Sequence, residues 1–427
     1  MTRFFNSSGS VAPGSRRATH GRIACRSCGS ASLSLFVDLG AMPLANSFLT
    51  TADEPEQRFP LVVNVCAECF LVQTQDCVDA SSIFSDYAYF SSYSDSWLRH
   101  AREYSEFVVN RFGLGRESLV IEVASNDGYL LRNFVRLGIP CLGVEPAANV
   151  AAVARRAGIR TESAFFGSTF GGDLAKRGLS ADLMIANNVL AHVPDINDFL
   201  AGFRAALNSD GIATFEFPHL LNLIREVQFD TIYHEHFSYL SLLAVEGCLE
   251  RNGLAAFDIE ELATHGGSLR LYVQRIDCGK RPRAAALGDI RRKEASAGLA
   301  MMATYRSFAP RVEHVRAKLR QFFRQSRSDG KSVVAYGAAA KGNTLLNYCG
   351  TTKDDVAFCV DRSLQKQGRF LPGSRIPIYA IEEIDRKRPD FVLILPWNLK
   401  EEIVKGLAHI EKWGGRFVVA IPELKVL

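Results

Sequence analysis

The 427-residue chain is too long for one ordinary domain, and its 47% hydrophobic content can supply cores for two or three. A net charge of +4, from 50 basic and 46 acidic residues, lacks the concentrated basic face of a nucleic-acid binder. No apolar run reaches bilayer-spanning length, and residues 1–21, rich in Ser, Gly, Arg and Thr, lack a signal peptide's apolar core and read as a flexible tail. The expectation is a cytoplasmic protein with no nucleic-acid or membrane partner, whose ten cysteines are thiols and metal ligands rather than disulfides.

Cys25-Arg26-Ser27-Cys28 and Cys66-Ala67-Glu68-Cys69 form two C-x-x-C knuckles. Each turn presents two thiolates, and four sulfurs close a tetrahedral structural zinc shell with no open position for chemistry. The other reading, a redox pair, is disfavoured by two matched pairs in one module. Zinc staples a module of roughly 60 residues that is too small to fold well alone. The serine- and tyrosine-rich stretch that follows, residues 84–93, does not alternate as a strand does. It reads equally as a lid with phenol hydroxyls reaching a polar ligand or as packing between modules. Residues 97–112 follow as an amphipathic helix.

Residues 119–123 read as a buried parallel strand, and Ser125-Asn126-Asp127-Gly128 as a turn into a helix starting at about Tyr129. The dinucleotide fingerprint needs three glycines and only Gly128 is present, which disfavours NAD. Glu145, 17 residues after Gly128, ends a second strand where an acid meets ribose hydroxyls. Glu122, Gly128 and Glu145 resemble the S-adenosylmethionine (SAM) site of class I methyltransferases, with Ala124 where that site usually has glycine. The expected cofactor-binding set is Glu122, Ser125, Asn126, Asp127, Gly128, Glu145, Pro146, Asn187 and Asn188. The last two end the strand of residues 182–188, beside His192. A further strand covers 211–218.

Tyr233-His234-Glu235-His236 places an acid between two histidines. The spacing is not that of H-E-x-x-H, so acid–base work competes with metal binding here. Residues 257–263 and 269–275 form an antiparallel pair around His265-Gly266-Gly267. A charged helical connector, including the solvated Arg291-Arg292-Lys293 cluster, leads to a second α/β unit. There residues 332–336, 356–360 and 391–395 are strands. The turn Gly337-Ala338-Ala339-Ala340-Lys341 opens a helix and makes a phosphate seat that is not a Walker loop.

These blocks, with Gly143-Val144-Glu145-Pro146 and Pro396-Trp397-Asn398, resemble the zinc-containing sugar C-methyltransferases. The resemblance runs from Cys25 to the C-terminus. It implies an α/β chain with an N-terminal zinc-binding module, a central class I SAM-methyltransferase Rossmann-like domain and a second, C-terminal Rossmann-like domain. The expected division is tail 1–21, zinc module 22–84, methyltransferase domain 85–280, helical connector 281–330 and nucleotide-sugar-binding domain 331–427. The implied reaction is methylation of carbon 3 of a TDP-4-keto-deoxyhexose by a monomer or weak homo-oligomer. In it a base removes the acidified hydrogen and the resulting enolate attacks the SAM methyl. By likeness, the catalytic set is His236 as base, Tyr233, Glu235, Tyr89 and His192. The substrate set is Tyr87, His265, Lys341 and Asn398, with Lys341 in a seat away from the chemistry. Cys25, Cys28, Cys66 and Cys69 hold the zinc. Rival readings are a different nucleotide sugar or an O- or N-acceptor, a zinc-ribbon RNA methyltransferase, and a non-catalytic binding module.

Overall fold

A computed structural model describes residues 24–75, 78, 92 and 95–427. Three sheets organise them. The first is a small antiparallel sheet of β1 (Leu33–Met42), β2 (Phe59–Cys66), β3 (Val72–Thr74) and β9 (Ser238–Tyr239), in the order β1-β2-β3-β9. Leu61, Val63 and Val65 of β2 are buried at period two, as a strand with one face in a core requires. The fourth strand comes from 164 residues further along the chain, just after the histidine pair: Gln73 pairs with Ser238 and Val72 with Tyr239.

The central sheet has seven strands in the order β10-β11-β8-β7-β4-β5-β6. They are β4 (Val120–Val123), β5 (Cys141–Val144), β6 (Thr161–Glu162), β7 (Ala181–Asn187), β8 (Leu207–Pro218), β10 (Leu254–Leu262) and β11 (Ser268–Arg275). All neighbours are parallel except that β11 runs antiparallel between β8 and β10. Apolar residues cover both faces, with Ile121, Leu142 and Met184 in one core cluster and Val120, Leu183 and Ile185 in another. That explains why these strands read as continuous apolar runs rather than alternations. Strand order reverses between β4 and β7, so a ligand crevice is expected outside the ends of those strands.

The third sheet, β14-β13-β12-β15-β16-β17, comprises β12 (Val333–Tyr336), β13 (Cys359–Val360), β14 (Ile378–Tyr379), β15 (Phe391–Ile394), β16 (Arg416–Val419) and β17 (Lys425–Val426). In chain order this is 3-2-1-4-5-6, the doubly wound dinucleotide-fold arrangement, with only β17 antiparallel. The connector is not merely a charged spacer. Its helix Phe308–Ser328 buries Phe308, Val312, Val315, Leu319 and Phe323, one face at helical spacing. Phe308 stacks on Phe36 of the small sheet at 4.4 Å, and the same cluster includes Val333 and Leu393 of the third sheet. One core thus joins the small sheet, the connector helix and the third sheet, and Leu220, Ile224 and Ile232 enter it from the segment before the histidines. Several elements differ in extent from the sequence expectation: the helix after the first turn starts at Leu131, β8 begins at Leu207, and the strand expected over 356–360 is reduced to Cys359–Val360.

Candidate active site

The loop after β4 takes the left-handed conformation at every second residue: Ala124 (φ +53), Asn126 (φ +51) and Gly128 (φ +77). Only the last is a glycine, so a path normally built from glycines is here followed at a cost of roughly 1–2 kcal/mol for an L-residue such as Ala124. A Cβ at Gly128 would lie 2.3 Å from Ile159 Cδ1, so a side chain here must displace the Ile159 terminus as well as hold a left-handed backbone. Glu145, expected to meet ribose hydroxyls, accepts main-chain amides at both oxygens: Asn126 N at 2.9 Å and Ala147 N at 2.9 Å. It holds the loop to β5, and each oxygen keeps a second lone pair. Burial raises the pKa of Glu122 well above the carboxylate range, with Glu145 and Asp127 adding to the push, and burial also raises that of Glu145. Ser92, from the tyrosine-rich stretch, donates its amide to Asp127 Oδ2 at 3.2 Å. Tyr87 and Tyr89 lie outside the described residues. Pro146 follows Glu145 directly.

Across the sheet ends sits the histidine loop. His236 Nδ1 lies 2.8 Å from Thr231 O. A carbonyl only accepts, so Nδ1 carries the proton and Nε2 is left as the basic nitrogen. The ring lies 4.1 Å from Tyr233 and 4.6 Å, edge-on, from His192. Burial lowers the His236 pKa well below the usual value, with the neighbouring His192 contributing. Burial likewise takes His192 to about 4. The loop is clamped by the small sheet: Thr74 N donates to Phe237 O at 3.1 Å and Thr74 Oγ1 to His236 O at 3.1 Å. Glu235 Oε1 accepts from Asn46 Nδ2 at 2.6 Å. His234 turns away from this group. Its Nε2 donates to Phe59 O and Pro60 O, each at 3.2 Å, so it ties the loop to β2.

The C-terminal turn faces the same space. Gly337 (φ +90) packs on Pro396, and Ala338 N donates to Asp361 Oδ2 at 2.7 Å. Lys341 Nζ donates to Asn398 Oδ1 at 2.7 Å and stands 4.7 Å from the Trp397 ring. Trp397 Nε1 in turn donates to Asp230 Oδ2 at 2.7 Å. Asp230 is fully buried, and burial pushes its pKa up to about 6 against the pull of Lys341. The Lys341 charge contributes to the lowering of the His236 and His265 pKa values, after burial. His265 (φ +54) meets the Trp97 ring edge-on at 5.3 Å.

Family profiles match along the chain: "Putative zinc binding domain" over residues 25–84, "Methyltransferase domain" over 97–258 and "C-methyltransferase C-terminal domain" over 263–422. The C-methyltransferase NovU of Streptomyces niveus is 38% identical over 405 residues, which is 94% of this chain and 96% of that protein. The chain belongs to the C-methyltransferase family. Solved structures are more distantly similar. One is the magnesium protoporphyrin IX methyltransferase of Synechocystis PCC 6803, with 15% identity over 42% of this chain and 83% of that one and a TM-score of 0.34. Another is the CcbJ methyltransferase of Streptomyces caelestis, with 12% identity over 41% and 89% and a TM-score of 0.33.

As a SAM-dependent C-methyltransferase with a zinc-binding domain, the protein needs a place for each group. The Sγ atoms of Cys25, Cys28, Cys66 and Cys69 all lie within 4.8 Å of one another, with Cys25–Cys69 at 3.5 Å and Cys28–Cys66 at 3.6 Å. Tetrahedral zinc at about 2.3 Å from each sulfur requires separations of roughly 3.8 Å, so the set fits. Among the described residues it is the one group of three or more such side chains placed to hold a metal, while His234 Nε2 and His236 Nδ1 each meet main-chain carbonyls on different segments. At the crevice between β4 and β7, Glu122 Oε2, Ser125 Oγ, Asp127 Oδ1, Asn187 Oδ1 and both amide atoms of Asn188 are buried without a partner among the described residues. Acids and amides so placed fit a cationic, donor-rich cofactor such as SAM.

Sequence reasoning missed three groups. Asp230 stands three residues before Tyr233, and Trp397 lies inside a quoted motif; both carried a signal, an acid and an indole beside chemistry-bearing residues. Glu216, at the end of β8, carried none. It meets His100 Nε2 at 3.1 and 3.0 Å, Arg270 Nη2 at 2.8 Å and Thr264 Oγ1 at 3.2 Å. Burial pushes its pKa up, but His100 and Arg270 outweigh burial and hold the carboxylate below the usual range. Its partners come from three segments that only the sheet brings together.

Proposed function

We propose that the protein methylates carbon 3 of a nucleotide-linked 4-keto-deoxyhexose, with His236 as the general base. The observation carrying this reading is the His236 Nδ1–Thr231 O contact at 2.8 Å, which fixes the tautomer. The lowered pKa keeps the ring neutral at physiological pH, so Nε2 can accept a proton. SAM, when bound, supplies an electrophilic methyl on sulfonium. His236 takes the hydrogen of carbon 3, whose acidity the adjacent ketone provides, and the electron pair moves to the ketone oxygen as an enolate. Carbon 3 then forms its bond to the methyl as the methyl–sulfur bond breaks, and His236 returns its proton to solvent. Tyr233 and His192 stand against the same ring and, with Glu235, whose carboxylate is held by Asn46, are assigned to orient the sugar; a phenol and a neutral imidazole are suitable donors to a developing oxyanion. Tyr89 and Tyr87 are assigned to the same pocket by family likeness.

Lys341, Asn398 and His265 are assigned to the nucleotide sugar. An ammonium held over an indole suits a diphosphate. Glu122, Ser125, Asn126, Asp127, Gly128, Glu145, Pro146, Asn187 and Asn188 are assigned to SAM. The test is incubation with SAM and a panel of 4-keto sugar nucleotides and their 4-hydroxy counterparts, read by mass. Gain of one CH2 on the keto sugars alone is expected. Equal transfer to the 4-hydroxy sugars, or none to any, contradicts the reading.

A further inference from the structure

The helix Ala340–Tyr348 that carries Lys341 also carries, two and three residues on, Asn343 and Thr344. Both are buried, and neither faces its own domain. Asn343 Nδ2 donates to Ala45 O of the zinc-binding domain at 2.6 Å. Thr344 Oγ1 donates to Ile232 O, at the start of the histidine loop, at 2.9 Å. The residue after Ala45 is Asn46, whose Nδ2 reaches Glu235 Oε1 at 2.6 Å. The first turn beyond Lys341 therefore grips the 232–236 loop twice: directly at Ile232, and through Ala45 and Asn46 at the Glu235 carboxylate. The segment following Asn46 is tied to the same domain, since Leu49 and Phe370 exchange main-chain hydrogen bonds at 3.0 and 2.9 Å and Gly373 N donates to Glu56 Oε2 at 2.9 Å. Asn46 thus sits on a segment whose position is set by the C-terminal domain.

We infer that Asn46 is a positioning residue for the methyl transfer: seated by the buried amide of Asn343, it fixes the plane of the Glu235 carboxylate and couples the nucleotide seat at Lys341 to the acid–base loop. The inference rests on the C-methylation reading above. An amide donating to a carboxylate is a charge-assisted bond, and a misaligned carboxylate beside the reacting carbon loses orientation rather than binding. The effect belongs in kcat and not in the affinity for SAM, whose assigned residues lie on other segments.

The test uses the zinc-loaded full-length chain and a keto sugar nucleotide that the wild type methylates. Asn46→Ala is expected to lower kcat by about 10- to 100-fold, the range for a bond to a charged group. The KM for SAM and the zinc content should stay at wild-type values, while the melting midpoint falls by no more than the loss of one buried hydrogen bond brings. Asn46→Leu keeps the bulk and removes the donor, so it should show a comparable loss and serves if the alanine variant does not fold. Asn343→Ala should lower kcat by a smaller factor, and its effect should largely vanish in the Asn46→Ala background, because both act through one contact. Wild-type kcat in the Asn46 variants, or a loss matched by a rise in the KM for SAM, overturns the inference while the reading stands. Absence of wild-type turnover on every keto sugar sinks the reading, and the inference with it.

Discussion

Ala124 and Asn126 hold backbone conformations that glycine adopts without strain, whereas Gly128 is confined by Ile159 as well as by its φ. The two kinds of position should respond oppositely. Ala124→Gly is expected to be neutral or to stabilise the fold by up to about 1 kcal/mol, because relief of strain competes with the entropy of a freer unfolded chain. Gly128→Ala should cost about 1–3 kcal/mol, as overpacking does, and weaken SAM binding. Urea melts of the two variants decide this, and equal effects would contradict the strain argument. At His236 the expectation concerns pH. Burial first, then His192, lowers its pKa. Below that pKa the ring holds a second proton and cannot accept another, so kcat/KM should fall as pH drops through it and stay level through neutrality. The acid limb should therefore inflect below the ordinary histidine value of about 6.5. An inflection at or above that value would show an imidazole more solvated than the one described.

At the scale of elements, the small sheet explains why a structural metal matters to a distant loop. β3 follows directly on the knuckle of Cys66 and Cys69, and β9 follows directly on His236, so the pairing of the two transmits the geometry of one to the other. Cys66 is fully buried, and serine at that position cannot complete the thiolate shell. Cys66→Ser should lose zinc and soluble expression together. A variant that folds metal-free, by metal analysis, and retains full activity would contradict the stapling role. The zinc site was legible because two C-x-x-C pairs state their ligands in the sequence. So was the central sheet, whose buried strands are apolar runs between turn residues. The β3–β9 pairing was not legible, because a two-residue strand has no periodicity to read and its partner lies far away in the chain. Nor was the left-handed path through Ala124 and Asn126, since the usual mark of such a path is glycine. The C-terminal strand at Cys359–Val360 is shorter than its apolar run suggested, because only those two residues find partners in β12 and β14.

Across the whole molecule, the exit of β7 at His192, the histidine loop and the C-terminal turn are joined by the His192–His236, Thr344–Ile232 and Trp397–Asp230 contacts. The shared core of Phe36, Phe308 and Leu393, with the contacts of Asn343, Thr344 and Trp397, holds them in register. No helix among the described residues is long and apolar enough to cross a membrane. The local motif marked the histidine pair as a candidate for acid–base work, and the choice of His236 as base came from the family resemblance. Its tautomer was not legible, because the carbonyl of Thr231 that holds Nδ1 carries no mark in the sequence. The measurement that bears most directly on this arrangement is loss of deuterium from carbon 3 of a labelled 4-keto sugar nucleotide in ordinary water. It should be followed with S-adenosylhomocysteine in place of SAM, so that proton removal is seen without methyl transfer. Wild-type protein should wash the label out, and His236→Asn should slow the loss by at least about 100-fold, within the range for a general base, while binding S-adenosylhomocysteine normally. Washout at the wild-type rate in His236→Asn would remove His236 from the role of base.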